Sequence, residues 1–477
     1  MTVENFVFVG QLVFLAYFVG LNGTYLMLNL LSIIDMTKYM QRQDMDALPP
    51  VYLGLEPPVS VLAPAHNEER TIVASVSSLL QLKYSDYEIL VINDGSTDRT
   101  LQILIDAFEL EPFPEAYRKR LETQDVRTIY HSVQHPNLRV LDKLNGGKAD
   151  ALNAGINCAR YPLYCAVDAD SILQRESLER VVQPFLEDPT TVASGGCIRV
   201  ANGCRVVDGF MTHVGLPWKP LALFQIAEYL RAFLFGRLGW SPLNALLIIS
   251  GAFGVFNKER VIEAGGYRPG TVGEDMELVV RLHRLLREAG KPYRITFVPD
   301  PICWTEVPED LKTLKSQRVR WQRGLGQSLA LNISLMFDRK SGAVGWLAFP
   351  FMVIFEWLGP VVEVAGYFFM LACWLLGLIS TDAFKLFLLA SVGMGVVLSM
   401  MALVLEEMSF HLYSRFSDLA MMFLAVILEN FGYRQLISYW RTVALVKMLL
   451  GGKAEWGPME RSGSWSSADA TKRAPVG

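Results

Sequence analysis

The chain has 477 residues, enough for two or three structural units. Hydrophobic residues make up 51% of it and charged residues only 19%, a balance typical of an integral membrane protein. The net charge of −4 and the lack of a basic stripe with interleaved aromatic residues exclude nucleic acid as an expected partner.

The N-terminal segment predicts a membrane anchor within residues 1–40. Residues Phe6–Ile34 are almost free of charge, long enough for one span and too short for two. A cleaved signal peptide is the alternative, but the apolar run is too long for one, and Glu4 precedes it with no Lys or Arg. Lys38 and Arg42 follow the run, so the positive-inside rule places the next domain in the cytoplasm.

Residues 59–167 alternate short apolar runs with segments of helical periodicity. This alternation is typical of a doubly wound, mainly parallel α/β sheet, whose ligands bind beyond the carboxyl ends of the strands. The polar stretch Glu109–Val133 is predicted to be a helix-loop insertion. The predicted strands are Val59–Ala65, Tyr87–Ile92, Leu138–Asp142 and Tyr161–Val167, and the predicted helices are Thr71–Leu82, Thr97–Phe108 and Lys148–Ala159.

Polar side chains directly follow three of these strands, at residues 66–68 (His-Asn-Glu), at 93–95 (Asn-Asp-Gly) and at Asp168 with Asp170. Two carboxylates at a strand end can hold Mg²⁺ or Mn²⁺, which neutralises a leaving diphosphate. A solvated turn is the alternative for Asp168 and Asp170, and a helix N-cap is the alternative for Asp94. Three polar strand ends on one edge favour a ligand site.

Two motifs further along add candidate residues. Gly146 and Gly147 let the backbone approach a ligand, and Lys148 supplies a point charge for phosphate. Glu274 and Asp275 directly precede a predicted helix at Met276–Glu288. One of them could act as a general base, or both could simply favour the helix N-terminus.

Residues 317–321 (Gln-Arg-Val-Arg-Trp) lie on a predicted amphipathic helix that leads towards the membrane. The spacing puts Gln317, Arg320 and Trp321 on one face. Arg320 can stabilise a departing diphosphate, and Trp321 offers a flat apolar face for a sugar ring. An interfacial membrane anchor is the alternative for this pair.

The C-terminal third contains apolar segments at Val344–Ile379, Phe384–Leu405 and Leu419–Leu436. Basic residues towards the C-terminus favour a cytoplasmic end, which requires an even number of crossings after a cytoplasmic domain. Either Val344–Ile379 is a short hairpin or one of the three segments lies in the interface, so three or four elements are expected. Trp440, Arg441 and Lys447 suit an amphipathic interface helix.

The motifs around Asp94, Asp168, Asp275 and Trp321, in this order, resemble those of the membrane-bound family 2 glycosyltransferases. That family includes the cellulose, hyaluronan, chitin-oligosaccharide and poly-N-acetylglucosamine synthases. The resemblance covers residues 59–325 at the level of motifs. It implies a GT-A-like nucleotide-sugar-binding domain joined to α-helical transmembrane segments, in a protein of the bacterial inner membrane.

The resemblance also implies roles for individual residues. Asp275 is the expected general base, with Glu274 as the second choice, and Asp168 and Asp170 are the expected ligands of Mg²⁺ or Mn²⁺. The residues expected to bind the donor are Pro64, Asn67, Glu68, Asp94, Lys148, Asp168, Gln317 and Arg320, and those expected to bind the acceptor are Ser250, Gly251 and Trp321.

The chain is accordingly predicted to be an inverting, processive β-glycosyltransferase that transfers a sugar, with GlcNAc as the first choice, from a UDP-sugar to a growing polysaccharide. The alternative is non-processive transfer of one sugar to a lipid carrier. A more remote alternative is a non-catalytic membrane scaffold of a polysaccharide export complex. A nicotinamide-dependent oxidoreductase is disfavoured, because no Gly-x-Gly-x-x-Gly sequence follows the first strand.

The expected partners besides donor and acceptor are the lipid bilayer and export or accessory proteins. The expected domains are an N-terminal transmembrane anchor at 1–40, a cytoplasmic catalytic domain with interface helices at 41–330, C-terminal transmembrane and interface helices at 331–455, and a disordered cytoplasmic tail at 456–477.

Overall fold

The structure is a computed structural model that describes residues 2–45, 56–207, 210–413 and 415–451. The predicted tail at 456–477 lies outside the described residues. The strands are β1 (Val59–Ala65), β2 (Tyr87–Asp94), β3 (Leu110–Pro112), β4 (Val126–Ser132), β5 (Leu138–Lys143), β6 (Leu163–Val167), β7 (Ile172–Leu173), β8 (Thr191–Val200), β9 (Arg205–Val207), β10 (Phe210–His213), β11 (Phe253–Asn257) and β12 (Arg294–Thr305).

A ten-stranded sheet lies at the centre of the α/β domain, in the order β3-β4-β5-β2-β1-β6-β11-β8-β12-β7. The strands β5, β2, β1 and β6 run parallel, as the alternation predicted. Nearly all their positions are buried, because helices cover both faces. The other half is mixed, since β11 is antiparallel to both β6 and β8 whereas β12 is parallel to β8. The sheet as a whole is therefore less parallel than predicted.

The stretch Glu109–Val133 is not the predicted helix-loop insertion. It contains β3 and β4, which extend the sheet as antiparallel strands beside β5. Most positions of β4 are only partly buried, so its sequence is polar enough to be mistaken for a loop.

The helices of the α/β domain pack around the sheet. They are α2 (Ile72–Leu80), α3 (Thr100–Phe108), α4 (Lys148–Cys158), α5 (Ser177–Glu187), α6 (Pro220–Tyr229), α7 (Gly236–Trp240), α8 (Lys258–Glu263), α9 (Glu274–Glu288) and α10 (Leu311–Leu331), with a π-helical turn at Leu230–Phe235 between α6 and α7.

The remaining helices contain the apolar segments. They are the N-terminal helix α1 (Val3–Met45), α11 (Phe349–Phe351), α12 (Gly359–Leu375), α13 (Thr381–Leu388), α14 (Met394–Ser409), α15 (Phe416–Leu428) and α16 (Arg434–Leu449), with short 3-10 or π-helical turns at Ile333–Leu335, Arg339–Ser341, Val344–Ala348, Met352–Trp357, Leu389–Gly393 and Glu429–Tyr433.

Three helices in the described parts of the chain are long and apolar enough to cross a membrane: Val3–Gln41, Thr381–Ser409 and Phe416–Leu449. The pair Val344–Trp357 and Gly359–Leu375 meets the same criterion together and would make a fourth span. The pair bends by 46°, short of the reversal that the hairpin alternative for this segment requires.

The predicted interface helix at Trp440–Lys447 is the second half of the long helix Phe416–Leu449. The backbone leaves helical geometry at Phe431 and Gly432, and α16 then packs against α10 and α12. Trp440 is buried in a cluster with Leu314 of α10, so it contacts the protein interior instead of anchoring the helix at a surface.

The helical run from α6 to α7 joins the sheet to the apolar helices. α6 contacts β8 and α15, and α7 contacts β12 and the N-terminal helix. The α/β domain therefore packs directly against the candidate membrane helices through α6 and α7.

Candidate active site

Asp94 organises the loop ahead of Lys148. It ends β2, it is 3% exposed, and its carboxylate accepts hydrogen bonds from Lys143 Nζ at 2.6 Å and from the backbone N–H groups of Gly146 and Gly147 at 3.0 and 2.7 Å. Lys143 ends β5, the parallel neighbour of β2, and it is fully buried. The carboxylate thus fixes the glycine loop on which Lys148 follows.

The side chains after β1 form the neighbouring part of the same edge. Asn67 has a φ of +57° and accepts a hydrogen bond from the backbone N–H of Thr97 at 2.8 Å. Glu68 accepts one from the Thr71 hydroxyl at 2.9 Å, and Pro64 is half-buried in β1. These contacts tie the start of α2 to the loop that follows β2.

Lys148 and Asp168 form the centre of the site. Lys148 opens α4, and its Nζ donates to Asp168 Oδ1 at 2.5 Å and to the carbonyl oxygen of Gly251 at 3.3 Å. A second carboxylate, Glu274 Oε1, lies 3.7 Å from the same nitrogen. Burial disfavours the charge of Lys148, but the two carboxylates outweigh it and raise the pKa of Lys148 above its ordinary value. The ammonium stays charged and is available to a phosphate.

Glu274 and Asp275 open α9, where the helix N-terminus favours negative charge. Asp275 Oδ2 accepts from the backbone N–H of Gly251 at 2.9 Å, which orients the carboxylate towards the Lys148 side of the site. Burial raises the pKa of Glu274 to about 7, with Asp275 adding to the effect and Lys148 opposing it. Two adjacent acids therefore sit in different environments, a common arrangement in catalytic sites.

Asp168 and Asp170 are the two carboxylates predicted to hold a divalent cation together with a diphosphate. Within the part of the chain that the structure describes, no three His, Cys, Asp or Glu side chains are grouped to hold a metal ion by themselves. Mg²⁺ does not need such a cage, because it commonly binds one or two carboxylates and completes its shell with water and substrate phosphates. Asp168 is partly exposed and lines the cavity described below, whereas Asp170 is buried.

Trp321 projects from α10 and is held on one side by its neighbours. The guanidinium carbon of Arg318 lies 4.3 Å from the centre of a Trp321 ring, and the Phe233 ring centre lies 5.8 Å away. Arg318 is buried and pairs with Glu228 of α6 at 2.7 Å, and Tyr433 donates to the same carboxylate at 3.0 Å. Trp321 itself remains 37% exposed, so part of the indole is open to a ligand.

One cavity of about 700 Å³ connects the Lys148–Asp168 pair with Asp275 and Trp321. It extends from Lys148 and Asp168, past Asp275 and Trp321, to Glu356 and residues of the C-terminal helices. The predicted site residues that line it are Lys148, Asp168, Ser250, Gly251, Glu274, Asp275, Gln317, Arg320 and Trp321, whereas Pro64, Asn67, Glu68, Asp94 and Asp170 do not.

Sequence reasoning missed Lys143, Arg318 and Arg237. The first pairs with Asp94, the second supports Trp321, and the third lines the cavity. The only signal for Arg318 was its place inside the 317–321 motif, and nothing local distinguished the other two.

The comparisons with known proteins agree with this architecture. Residues 60–220 match glycosyl transferase family 2, and residues 165–428 match glycosyl transferase family group 2. A poly-beta-1,6-N-acetyl-D-glucosamine synthase of Staphylococcus aureus (strain COL) is 29% identical over 310 residues, 65% of this chain and 64% of that protein. The synthase of the same description from Staphylococcus epidermidis is 29% identical over 266 residues, 56% of this chain and 54% of that protein. The chain thus spans less than two thirds of the length of these curated relatives.

A solved structure confirms the fold. The mannosyltransferase from Pyrobaculum calidifontis, in complex with GDP-Man and Mn²⁺, superposes with a TM-score of 0.51 at 18% identity. The match covers 91% of this chain and 100% of that one. The predicted GT-A-like α/β domain is therefore confirmed, with the mixed sheet described above.

Proposed function

The chain belongs to glycosyl transferase family group 2, and from this premise we propose that it is an inverting, processive β-glycosyltransferase. It transfers N-acetylglucosamine from UDP-N-acetylglucosamine to a growing polysaccharide. The observation that carries the proposal is a single cavity in which a lysine–carboxylate cluster, an oriented carboxylate and an aromatic platform meet. The poly-N-acetylglucosamine synthases among the relatives support the choice of sugar.

In this proposal Asp275 is the general base. The hydrogen bond from Gly251 orients its carboxylate, which takes the proton of the acceptor hydroxyl as that oxygen attacks the anomeric carbon of the donor. The bond from this carbon to the diphosphate oxygen breaks on the opposite side, so the configuration inverts and the proton remains on Asp275. Glu274 is less suited to the role, because its carboxylate lies 3.7 Å from Lys148 Nζ and is engaged by that charge on the donor side of the site.

The leaving diphosphate meets cationic side chains. Lys148 and Arg320 both line the cavity, and each can donate charge-assisted hydrogen bonds to phosphate oxygens. Mg²⁺ or Mn²⁺, held by Asp168 and Asp170, would supply further neutralisation of the developing charge. Asp94 contributes by holding the loop that presents Lys148.

Processive synthesis requires that the product stay bound between additions. The exposed part of Trp321 offers an apolar face for the acceptor ring, and Ser250 and Gly251 leave room beside Asp275. The cavity continues from there to Glu356 and Arg441 among the C-terminal helices, which provides space for more than one sugar unit.

The arrangement in the membrane is part of the same proposal. In this proposal residues 1–40 contain the anchor, residues 41–330 contain a catalytic domain on the cytoplasmic face, and the helices described up to residue 451 within 331–455 are the C-terminal membrane and interface helices. The sheet rests on α6 and α7, which contact the apolar helices, so the donor site lies close to the bilayer. Donor delivery from the cytoplasm suits this placement.

The direct test is turnover of labelled UDP-sugars by purified protein in nanodiscs, with product length read on a gel. UDP-GlcNAc should give long products, and UDP-glucose, UDP-glucuronic acid and UDP-GalNAc should give little. A single sugar added to a lipid would support the lipid-carrier alternative, and no turnover with any donor would support the scaffold alternative.

The variant Asp275→Asn should abolish transfer and leave UDP binding nearly intact, because the base acts only in the chemical step. Asp86→Asn, a change at an exposed position, is the matched control and should retain parental activity. Residual transfer within about tenfold of the parent would remove Asp275 from the role of base and point to Glu274.

A further inference from the structure

Arg237 carries a buried charge that the proposed mechanism does not use. It lies in α7 and is 4% exposed. Its Nε and Nη1 atoms have no hydrogen-bond partner among the residues that the structure describes. The guanidinium carbon lies 4.5 Å from the centre of the Phe233 ring, a cation–π distance. Phe233 covers a face of the guanidinium, but it does not satisfy the N–H groups at the edge.

The other buried arginines of the described chain all face a carboxylate. Leaving a buried cation without a partner costs several kcal/mol, so folds usually supply one. Arg237 departs from this pattern, which points to a partner that arrives from outside the protein. The paired arginines are Arg139 with Glu88 at 2.5 Å, Arg199 with Glu406 at 3.3 Å, Arg281 with Glu277 at 2.8 Å and Arg318 with Glu228 at 2.7 Å.

Arg237 lines the same cavity as Asp275 and Trp321, so an acceptor sugar placed for catalysis lies within its reach. Burial lowers the pKa of Arg237 to about 10, and the nearby charge of Asp275 partly offsets the effect. The guanidinium is still protonated at neutral pH and acts only as a hydrogen-bond donor.

The surroundings of Arg237 select the kind of group that it can bind. Tyr229, Phe233 and Trp240 line the cavity with it, which suits a group with an apolar part. The negative charge of Asp275 near Arg237 disfavours an anionic group such as a uronic acid in this part of the cavity. An amide carbonyl oxygen is a pure acceptor that matches a pure donor, whereas a hydroxyl group would bring a proton that needs its own acceptor. An acetamido group also carries a methyl group for the aromatic wall.

We propose that Arg237 is an acceptor-specificity residue whose guanidinium donates to the acetamido carbonyl oxygen of the terminal acceptor sugar. This inference rests on the proposed function and deepens it, because it requires an N-acetylated acceptor. It makes recognition of the acceptor, and not only of the donor, dependent on the N-acetyl group.

The test compares two uncharged acceptors, a β-linked tetramer of GlcNAc and the glucose tetramer of the same linkage, which lacks the acetamido groups, in the nanodisc assay with UDP-GlcNAc. Arg237→Met removes the donors and keeps an apolar stem. It should raise the acceptor KM for the N-acetylated tetramer about 10- to 100-fold, as expected for hydrogen bonds to a charged group. The parent should bind the glucose tetramer as weakly as Arg237→Met binds the N-acetylated tetramer, and Arg237→Met should not weaken binding of the glucose tetramer further.

Arg287→Met is the matched control, since Arg287 also stacks on an aromatic ring, that of Tyr293 at 5.4 Å, and does not line the cavity. It should leave the acceptor KM within about twofold of the parent. If Arg237→Met weakens the binding of both tetramers equally, the assignment of Arg237 to the acetamido group is wrong. If it raises only the KM for UDP-GlcNAc, Arg237 binds the donor and the proposal fails.

A thermal-shift measurement separates this proposal from the proposed function. Removing an unpaired buried charge should keep or raise the melting temperature of the ligand-free protein, whereas loss of a structural arginine should lower it. The N-acetylated tetramer should raise the melting temperature of the parent and not of Arg237→Met. If the tetramer raises the melting temperature of the parent but is not elongated, processive transfer is refuted and the assignment of Arg237 stands. A lowered melting temperature for the ligand-free variant would overturn that assignment.

Discussion

Replacing Asp94 with Asn tests whether this residue acts mainly by holding the glycine loop. The amide keeps one acceptor oxygen and puts an NH₂ group where the carboxylate now accepts from Gly146 or Gly147, so donors face each other in a buried site. Lys143 also loses its 2.6 Å ion-pair partner, although Asp150 remains at 2.6 Å from the same nitrogen.

The magnitude follows from these contacts. Breaking a buried ion pair costs roughly 3–5 kcal/mol when one partner is left alone, and the remaining Asp150 moves the estimate to the lower end. A loss of about 3 kcal/mol corresponds to a drop in Tm of roughly 6–12 °C for a domain of 150–250 residues. UDP affinity should fall as well, because Lys148 follows directly on the displaced loop.

The assay is thermal unfolding in detergent together with UDP binding, with Asp86→Asn as the exposed control. If Asp94 contacts the donor directly and does not support the loop, UDP affinity will fall while Tm stays within about 2 °C of the parent, less than 1 kcal/mol. That result would refute the reasoning from the loop contacts.

Three further changes test other parts of the site. Trp321→Ala should lower acceptor affinity about two- to tenfold and reduce polymer extension more than hydrolysis of the donor by water, and equal loss of both rates would mean that Trp321 supports the whole site. Asp168→Ala should abolish activity, EDTA should inhibit the parent, and Mg²⁺ or Mn²⁺ should restore it; full activity of the parent in excess EDTA would contradict the metal assignment. In the folded protein the pKa of Glu274 is raised from 4.5 to about 7. The contribution of the protonated carboxyl to stability is therefore fully present below pH 4.5 and is lost as the pH rises through 7. Glu274→Gln should therefore match the parent in stability near pH 4.5 and exceed it at pH 8 by about 1–3 kcal/mol, and an equal difference at both pH values in melting curves would show that the carboxyl does not titrate there.

Local pattern was sufficient for the parallel strands β5, β2, β1 and β6 and for the edge that carries the polar residues. Strands of a parallel sheet end on the same side, so apolar runs followed by Asp94 and by Asp168 predict neighbours without any knowledge of packing. The structure places Lys148 against Asp168, and Glu274 and Asp275 beside them, in one cavity. Periodicity failed for β3 and β4, because partly exposed strands near a sheet edge have polar sequences.

By itself, the sequence determined which residue types were available, their order along the chain, and the apolar segments able to cross a membrane. Only the tertiary structure decided which buried charges are paired. Arg318 meets Glu228 and Tyr433, which are distant in sequence, whereas Nε and Nη1 of Arg237 have no hydrogen-bond partner among the described residues. The physical reason is that periodicity reports whether a side chain is buried, while the partner of a buried charge depends on how separate segments pack. For that reason the support of Trp321 and the open guanidinium of Arg237 became visible only in the folded chain.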